Sequence, residues 1–307
     1  MGKYLVTGDW HERLSVPRCR KQSEDEWVQT QRETIRHIVG VANELQAALV
    51  HTGDLFHQPS VGSRILIMLL EELAELKVPM YFIYGNHEMR ERSESFHTTS
   101  FGVFQNITSF SDGLFLPAQF KFAVSEYDKE DWKGVPGDIL LKHVLVFESE
   151  KDFPPGADAI TARTLAAQFP EFKYILTGDM HDHFHKVIKS GGKTQHVINP
   201  GCTTVQSAKY IGKELGMYLL DTDADTVEWV PLPMESAELT DDSYIEEENE
   251  REERVTAFVE SLKSAGHRLE LDFDEKVKYA LVLNKVHEAL WAVIKEIMEE
   301  VEDESID

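Results

Sequence analysis

Cysteine is scarce in this chain, which has 307 residues but only two cysteines, Cys19 and Cys202. They lie far apart and form no close-spaced pair, so the sequence lacks the pattern of a disulfide framework. It also lacks the grouped cysteines that a zinc-thiolate site requires. We therefore expect free thiols and a fold that does not depend on disulfide bonds.

Long apolar runs are missing as well. The longest aliphatic run, ILIMLL at residues 65–70, is far too short to cross a bilayer. The stretch MGKYLVTGDW has no basic segment followed by a long apolar one. Both absences predict a cytoplasmic protein that is not associated with a membrane. Hydrophobic residues still make up 42% of the chain, which is enough for a substantial core.

Positive charge is in short supply, since 31 Lys and Arg residues stand against 55 Asp and Glu, a formal net charge of −24. Residues 241–307 alone carry 21 acidic and 8 basic side chains. This charge argues against indiscriminate binding to nucleic acid, because one polyanion repels another. Because the acidic excess is concentrated in the last part of the chain, we expect the functional residues in the first 240.

Short strand-like runs alternate with helical patterns along much of the chain. The predicted strands lie at 3–7, 47–52, 79–84, 138–147, 173–177, 196–199, 216–221 and 226–232, and the predicted helices at 25–46, 60–77 and 161–168. This alternation implies an α/β core. The last three strands are close together in the sequence and are predicted to be antiparallel. An apolar stripe from Val277 to Met298 predicts a helical segment within the acidic tail.

Four polar clusters follow predicted strands: GDWH (8–11), GDLFH (53–57), GNHE (85–88) and GDMHDH (178–183). A further candidate, His143, lies inside another predicted strand. The carboxyl ends of strands in an open α/β sheet border the crevice where ligands bind, so these segments could deliver their side chains to one place. Oxygen and imidazole ligands without thiolates suit manganese, magnesium, iron or zinc. Two such ions bridged by a carboxylate serve phosphoryl chemistry, because they polarise phosphoryl oxygens and activate a water.

Taken in order, the motifs resemble the signature of the calcineurin-like metallophosphoesterase superfamily: D-x-H, G-D, G-N-H-[ED], H and G-H-x-H. The match spans residues 9–183. GDLFH and the later NPGC (199–202) also resemble motifs of SbcD-type DNA-repair exonuclease subunits. The resemblance implies an α/β fold with a two-sheet β-sandwich flanked by helices. We expect this catalytic domain over residues 1–235 and an acidic helical appendage over residues 236–307.

The resemblance also implies roles for individual residues. Its first metal site would comprise Asp9, His11 and His181, its second Asn86, His143 and Asp179, with Asp54 as the bridge between them. His87 would protonate the leaving oxygen or stabilise the transition state, and Glu88 would orient it. His57 would position the scissile phosphate. The expected cofactor is a pair of divalent ions, manganese first, with magnesium, iron or zinc as alternatives. The predicted non-ligands are His37, His51, His97, His185, His196, His267 and His287.

Asp179 departs from the pattern, because the family usually has histidine at this position. A carboxylate is an adequate ligand for manganese or magnesium and adds one negative charge to the site. In an alternative register, His181 and His183 form the H-x-H pair and Asp179 becomes a partner of a ligand. Gly178 favours the first register, since it matches the glycine of the motif.

A short basic segment, RLSVPRCRK (13–21), follows the first motif and contains Arg13, Arg18, Arg20 and Lys21 but no acidic residue. Beside a phosphodiester site it could clamp the phosphate backbone of a nucleic acid. The alternative is an ordinary solvated loop. The sequence does not separate the two interpretations.

The acidic tail also allows two interpretations: it packs on the catalytic domain, or it binds a partner or a second copy of the chain. SbcD-type nucleases engage a coiled-coil ATPase, so the resemblance implies an SMC- or ABC-type ATPase partner. The function predicted first is a DNA exonuclease or endonuclease of the SbcD type that uses a metal-activated hydroxide. One alternative, favoured by the net charge, is a nucleotide phosphodiesterase or phosphatase. The other is a catalytically weakened interaction scaffold, for which Asp179 is the only hint.

Overall fold

The computed structural model describes residues 2–89, 98–108, 114–125, 131–153 and 160–241. Met1–Asp241 forms one compact unit. The predicted acidic appendage with its apolar stripe falls almost entirely on residues 242–307, outside the described residues, as do His97, His267 and His287. The predicted boundary between residues 235 and 236 therefore stays a prediction.

The secondary structure elements alternate along the chain. The helices are α1 (Glu24–Leu45), α2 (Ser63–Leu73), α3 (Ser100–Thr108) and α4 (Ala162–Gln168). The strands are β1 (Lys3–Thr7), β2 (Ala48–His51), β3 (Met80–Phe82), β4 (Phe115–Pro117), β5 (Ala123–Ser125), β6 (Lys133–Gly134), β7 (Ile139–His143), β8 (Val146–Phe147), β9 (Ile160–Thr161), β10 (Tyr174–Gly178), β11 (Phe184–Ser190), β12 (Lys193–Asn199), β13 (Gly216–Asp221) and β14 (Thr226–Pro231).

Two mixed sheets of six strands form the centre of the fold. The first has the order β14-β13-β1-β2-β3-β4 and the second the order β11-β12-β10-β7-β5-β6. Within the first sheet, β1 to β4 are parallel, and the β13–β14 hairpin pairs antiparallel with β1. Within the second, β5, β7, β10 and β12 are parallel, with β11 and β6 antiparallel at the edges.

Alternating side chains of the strands build separate hydrophobic layers. In β1, Tyr4 and Val6 pack between the two sheets against residues such as Leu141, while Leu5 points to the opposite face. That opposite face is covered by α1, α2 and α3, and the outer face of the second sheet is covered by α4. The predicted two-sheet α/β sandwich flanked by helices is confirmed, because the period-two alternation of each strand supplies both of its faces.

The longest helix, α1, has clear sequence signals at both ends. Ser23 caps its amino terminus in a capping box with Glu26, and Gln46 ends it in the left-handed conformation with φ of 51°. The helix predicted at 60–77 is shorter than expected, since α2 spans only Ser63–Leu73. Among the described residues, no helix is long and apolar enough to cross a membrane.

One predicted pairing is wrong. Residues 216–221 and 226–232 do form an antiparallel hairpin, but residues 196–199 belong to β12 in the other sheet, parallel to β10 and antiparallel to β11. Proximity in the sequence misled the prediction, since the chain changes sheets between Asn199 and Gly216. The run predicted at 138–147 divides into β7 and β8, which belong to different sheets.

The parallel strands bring their carboxyl ends to one edge of the sandwich. In the first sheet, Thr7 is in register with His51, which is in register with Phe82. In the second sheet, Gly178 is in register with His143. The loops that follow β1, β2, β3, β7 and β10 therefore meet at the same edge, which is where the polar motifs lie.

Candidate metal centre

Three overlapping groups of ligand-type side chains lie at this edge, and the ligand atoms of each group are within 4.8 Å of one another. The two ligand groups that contain carboxylates are Asp9, His11 and His181, and Asp9, Asp54 and His143, while the third group consists of the histidines His11, His57 and His87. Asp9 belongs to both carboxylate-containing groups. The sequence placed Asp9 at the first ion only, so this sharing is a finding of the structure.

Asp54, a member of the group with His143, also lies close to the group with His11. Its Oδ2 is 3.7 Å from His11 Nε2 and 3.4 Å from His143 Nε2. Asn86 joins the second group, because its Oδ1 is 3.0 Å from His143 Nε2. One carboxylate oxygen thus faces imidazole nitrogens of both groups, which is the geometry required of a bridging ligand.

The structure offers two tests of whether divalent ions fit here, and both are met. His11 Nε2 and His181 Nε2 face each other at 2.9 Å; ligand atoms at right angles on an ion about 2.1 Å away would be separated by about 3 Å. Asp9 Oδ2 and Asp54 Oδ2 are buried without a hydrogen-bond partner. Buried carboxylate oxygens are normally satisfied, and a cation bound here would supply the missing partner of both. The oxygen and nitrogen donors suit manganese, magnesium, iron or zinc.

Hydrogen bonds to the backbone prepare His143 for this role. His143 Nδ1 lies 2.9 Å from the carbonyl oxygen of Thr52, so Nδ1 carries a proton and donates it. In the neutral imidazole this leaves the Nε2 lone pair directed at Asp54 and Asn86. Such a fixed tautomer is typical of metal-binding histidines.

The electrostatics of the centre differ from residue to residue. Burial lowers the pKa of His181 to about 4 and that of His11 well below its usual value, so both are neutral at pH 7. Burial would also lower the pKa of His143, but the charges of Asp54 and Asp9 outweigh it and raise that pKa to about 10. For Asp54, burial would raise the pKa, but the neighbouring His143 outweighs it and lowers it. Asp54 and His143 thus attract each other as a buried ion pair.

The backbone of the centre is unusual. Asp9, His11, Asp54 and Asp179 have φ values of 48°, 50°, 56° and 82°, in the left-handed region that few non-glycine residues adopt. Gly53 has φ of 110°, and a Cβ atom there would overlap the imidazole of His143. The glycine before Asp54 is therefore required by close packing as well as by conformation.

Glu88 has a different contact pattern from the one expected. The sequence assigned it to orienting His87, but its fully buried carboxylate accepts hydrogen bonds from the backbone N–H groups of Asp54 (3.2 Å), Phe56 (2.7 Å) and Gly85 (2.6 Å). Burial, followed by the charge of Asp54, raises its pKa to about 8. Glu88 thus ties the loop after β2 to the loop after β3, and it positions the backbone of Asp54.

His87 is oriented by the backbone. Its Nδ1 donates to the carbonyl oxygen of His57 at 2.7 Å, and its own N–H donates to Asp54 Oδ1 at 3.0 Å. Its Nε2 lies 4.0 Å from Asp54 Oδ2, with 37% of the side chain exposed. The nitrogen without a backbone partner therefore faces the centre from the solvent side.

His57 lies beside His87 and is held by Arg13. Arg13 Nη1 donates to His57 Nε2 at 2.7 Å, and Arg13 Nη2 donates to Gln206 Oε1 at 2.7 Å. Burial, with a further contribution from the Arg13 charge, lowers the pKa of His57 to about 4. A neutral His57 that accepts at Nε2 carries its proton on Nδ1, which is buried and has no partner. Gln206 lies in none of the motifs, so the sequence analysis did not identify it.

In the last motif, GDMHDH (178–183), the histidines have different neighbours. His181 joins His11, whereas His183 stacks on Trp229 with ring centroids 3.8 Å apart and lies 3.1 Å from the Tyr218 hydroxyl. The structure therefore brings His181, and not His183, to the centre. Asp179 is linked to it through its backbone N–H, which donates to Asp9 Oδ1 at 3.1 Å, and its carboxylate is in none of the ligand groups of the described residues. A direct role for Asp179 as a ligand stays a prediction.

The NPGC segment (199–202) holds the backbone of this last motif through hydrogen bonds. Asn199 Nδ2 donates to the carbonyl oxygens of Met180 (2.5 Å) and Asp182 (2.9 Å), and the Cys202 N–H donates to the carbonyl oxygen of His181 (3.1 Å). The sequence noted NPGC only as a resemblance. The structure gives it a physical function, because it fixes the backbone on both sides of His181.

The basic segment 13–21 does not form one exposed rim. Arg20 is buried, ion-paired with Glu235, and stacked over Trp27 at 4.7 Å. Its guanidinium also donates to the Val205 carbonyl oxygen at 2.9 Å, so Arg20 stabilises the fold and does not face solvent. Arg18 and Lys21 are exposed, whereas Arg13 reaches the centre through His57.

The sequence model of the calcineurin-like phosphoesterases matches residues 2–183. The DNA double-strand break repair protein Mre11 of Methanococcus maripaludis is 25% identical over 202 residues, 58% of this chain and 52% of that protein. The chain thus spans about half the length of this curated relative.

Two solved structures that match this chain in fold have low sequence identity to it. Wild-type Vps29 of Entamoeba histolytica, complexed with zinc, is 15% identical with a TM-score of 0.32 and covers 75% of this chain and 98% of its own. The phosphopantetheinyl hydrolase PptH of Mycobacterium tuberculosis is 10% identical with a TM-score of 0.37 and covers 76% of this chain and 98% of its own.

Proposed function

We propose, since this chain belongs to the calcineurin-like phosphoesterase family, that it is a DNA nuclease dependent on two divalent ions, manganese first. The family uses a dimetal centre, and its members are hydrolases that act on phosphoesters. The observation that carries the proposal is the position of Asp54 Oδ2 between His11 Nε2 and His143 Nε2. The step from phosphoester to DNA is supported by the similarity to a DNA double-strand break repair protein and by His57 and Arg13 beside the centre.

The residues at the centre have two roles in this proposal: some would hold the ions, and others hold the loops that carry those ligands. Asp9, His11, Asp54, His143, Asn86 and His181 would hold the ions, with Asp54 as the bridge. When bound, such a pair of ions supplies Lewis acidity to the phosphoryl group and activates water as the nucleophile. Glu88 and NPGC hold the loops that carry these ligands, so the centre is fixed before the substrate arrives.

Two histidines would act on the substrate itself. His87 is anchored through Nδ1, so its Nε2, once protonated, can donate to the leaving oxygen. His57 would position the phosphate, because the hydrogen bond that Arg13 donates to its Nε2 holds the ring beside His11 and His87. Arg13 adds a positive charge behind His57, which favours a phosphate at this position.

The test uses purified protein with manganese, labelled single- and double-stranded DNA, and bis-p-nitrophenyl phosphate. Asp54→Asn is the knockout, because it keeps the Oδ1 that accepts from the His87 N–H but removes the charge that bridges the two groups. We expect DNA degradation by the parent protein and a loss of about a thousandfold or more in the variant. DNA degradation that persists in Asp54→Asn would refute the assignment of this centre.

A second candidate function is hydrolysis of nucleotides or other small phosphoesters. The observation that favours it is the formal net charge of −24, which opposes the approach of long polyanions. Hydrolysis of the small ester without degradation of either DNA would support this candidate against the nuclease. No hydrolysis of any substrate, with manganese bound, would instead support an interaction scaffold.

A partner for this activity is also a proposal. The acidic segment 242–307 contains the apolar stripe from which we predict binding to an ATPase subunit or a second copy of the chain. Mass measurement of the protein alone, and pull-down with a coiled-coil ATPase, separate the two. Cytoplasmic localisation likewise stays a prediction from the sequence.

A further inference from the structure

One segment, residues 200–215, runs along the metal centre. Gln206 binds the Arg13 guanidinium, which in turn holds His57. Further along, Tyr210 lies against the ligand His181, with ring centroids 5.7 Å apart. The same segment thus borders the centre on the His57 side and on the His181 side.

Next to His181, this segment contains two lysines, Lys209 and Lys213, that both contact Tyr210 and Asp182. Lys209 Nζ and Lys213 Nζ lie 5.3 Å and 5.0 Å from the ring centroid of Tyr210. Both bind the same carboxylate, Asp182, at 2.7 Å and 2.5 Å. Their side chains are 58% and 43% exposed, so the ammonium groups remain accessible from solvent.

The charges of this cluster do not cancel. One carboxylate neutralises one of the two ammonium groups, which leaves an excess positive charge in a strongly acidic protein. Of the neighbouring acids, Glu148 is paired with Lys186 at 2.7 Å, whereas Glu214 accepts from the uncharged Trp229 Nε1–H at 2.6 Å and keeps its negative charge. The excess positive charge is therefore that of Lys209, Lys213 and Asp182 taken alone. Surface ion pairs contribute little to stability, so stability alone does not account for two lysines on one carboxylate.

Open space lies on both sides of Asp182. A cavity of about 400 Å³ is bordered by Lys209 and by the acids Glu148 and Asp182, and another of about 250 Å³ by His181, Lys213, Asp182 and Glu214. The second cavity connects a ligand of the centre with a lysine. A chain of phosphates that leaves the centre past His181 would therefore enter the cavity that Lys213 borders, with Lys209 on the other side of Asp182.

We propose that Lys209 and Lys213 form a phosphate subsite for the DNA strand beyond the scissile bond, and that Asp182 holds both ammonium groups in place until a phosphate replaces it. The subsite rests on the proposed nuclease function and extends it, because it gives the strand a direction past His181.

The test compares binding of a labelled single-stranded oligonucleotide, with calcium in place of manganese, by the parent and by Lys209→Ala/Lys213→Ala. We expect affinity to fall roughly tenfold at low salt, and the salt dependence to weaken by about 1.4 in the slope of log K against log salt, the value for two lost phosphate contacts. Lys209→Arg/Lys213→Arg should restore most of the affinity. Asp182→Asn should tighten binding severalfold, because it frees both lysines.

A matched control exists at the other end of strand β10. Lys173 lies 5.2 Å from the Tyr174 ring and pairs with Asp225 at 2.8 Å, so it reproduces the lysine, tyrosine and aspartate of the subsite. It is separated from Asp179 by roughly 20 Å of extended strand. Lys173→Ala should leave DNA affinity and its salt dependence unchanged.

The outcomes separate the two proposals. If the parent degrades DNA but the double alanine variant binds it with unchanged affinity and slope, the subsite is wrong and the nuclease stands. If the parent neither binds nor degrades DNA while it hydrolyses the small ester, the nuclease function is wrong and the subsite is wrong with it. An equal loss for Lys173→Ala would also overturn the subsite, because the effect would then reflect net charge alone.

Discussion

At the scale of single residues, Arg13 has the position with the most specific consequence. It is the only described partner of His57 Nε2, and Gln206 holds its other amino group. In Arg13→Ala, His57 is free to change its tautomer and ring orientation. We expect the rates on DNA and on bis-p-nitrophenyl phosphate to fall by about 10- to 100-fold, the usual effect of losing a residue that orients a functional histidine.

Metal content distinguishes this effect from damage to the centre. Arg13 is in none of the ligand groups, so Arg13→Ala should bind as much manganese as the parent. The control is Arg64→Ala, which removes an arginine that pairs with Asp25 on the surface at 2.6 Å. Parent-like rates in Arg13→Ala would show that His57 needs no support.

His143 makes metal binding depend on pH. Its pKa is raised to about 10 because Asp54 and Asp9 outweigh the effect of burial. Below that pKa an ion must displace the proton from Nε2, so one proton is released for each ion bound there. The affinity should therefore rise about tenfold for each unit of pH between 6.5 and 8.5.

Calorimetric titration of manganese in buffers of different ionisation enthalpy measures both the affinity and the proton count. A flat affinity over this range would contradict the raised pKa of His143. The sign is fixed by the direction of the shift, because a histidine with a lowered pKa is already deprotonated at neutral pH and releases no proton there.

At the scale of elements, the NPGC segment is the support of the last motif. Gly201 has φ of 73°, and a Cβ atom there would lie 2.5 Å from the carbonyl oxygen of His181. Gly212 has the same φ with open space around it. Gly201→Ala must therefore bear both conformational strain and overlap, whereas Gly212→Ala bears the strain alone.

We expect Gly201→Ala to lower the free energy of unfolding by about 1–3 kcal/mol more than Gly212→Ala does, and to weaken metal binding as well. Denaturant unfolding and manganese titration of both variants provide the measurement. Equal stability of the two would mean that the loop moves away from His181 without cost.

The elements that carry the ligands were predictable, and several others were not. Strands β1, β2 and β10 are short apolar runs with Gly-Asp at or just beyond their carboxyl ends, a pattern that predicts both the strand and where it ends. Strand β11 was missed because it lies at a sheet edge, with mostly polar or half-exposed side chains and little alternation. The parallel partners of β12 could not be deduced, since the chain gives no local sign of the sheet to which a strand belongs.

The candidate site shows the same division between local and non-local information. Asp9, Asp54 and His143 could be selected from motif order, and the structure brings them together. The contacts of Glu88 and Gln206 join loops far apart in the sequence, so only the fold could reveal them. Arg20 was misinterpreted because a basic loop in sequence says nothing about which side chains turn inward.

At the scale of the whole molecule, charge is the dominant property. Residues 242–307 carry 20 acidic and 8 basic side chains. A chain that ends after Asp241 retains the compact unit Met1–Asp241 and loses this excess of negative charge. We expect it to bind DNA severalfold more tightly at low salt, since less of the polyanion repulsion remains.

The effect should disappear at high salt, because screening shortens the range of exposed charges to about 3 Å at 1 M. Fluorescence anisotropy at several salt concentrations, with circular dichroism as a control for folding, tests this expectation. Weaker binding by the shorter chain at all salt concentrations would mean that the acidic segment contributes contacts to DNA.

The left-handed backbone at Asp9, His11, Asp54 and Asp179 limits how this centre can be reproduced elsewhere. Aspartate and histidine are among the few residue types that tolerate this conformation and can also bind metal ions. A designer who copied only the side chains onto regular strands or helices would point them in other directions. The portable unit is the set of strand-ending turns, so a successful transplant must carry those turns together with the strands that precede them.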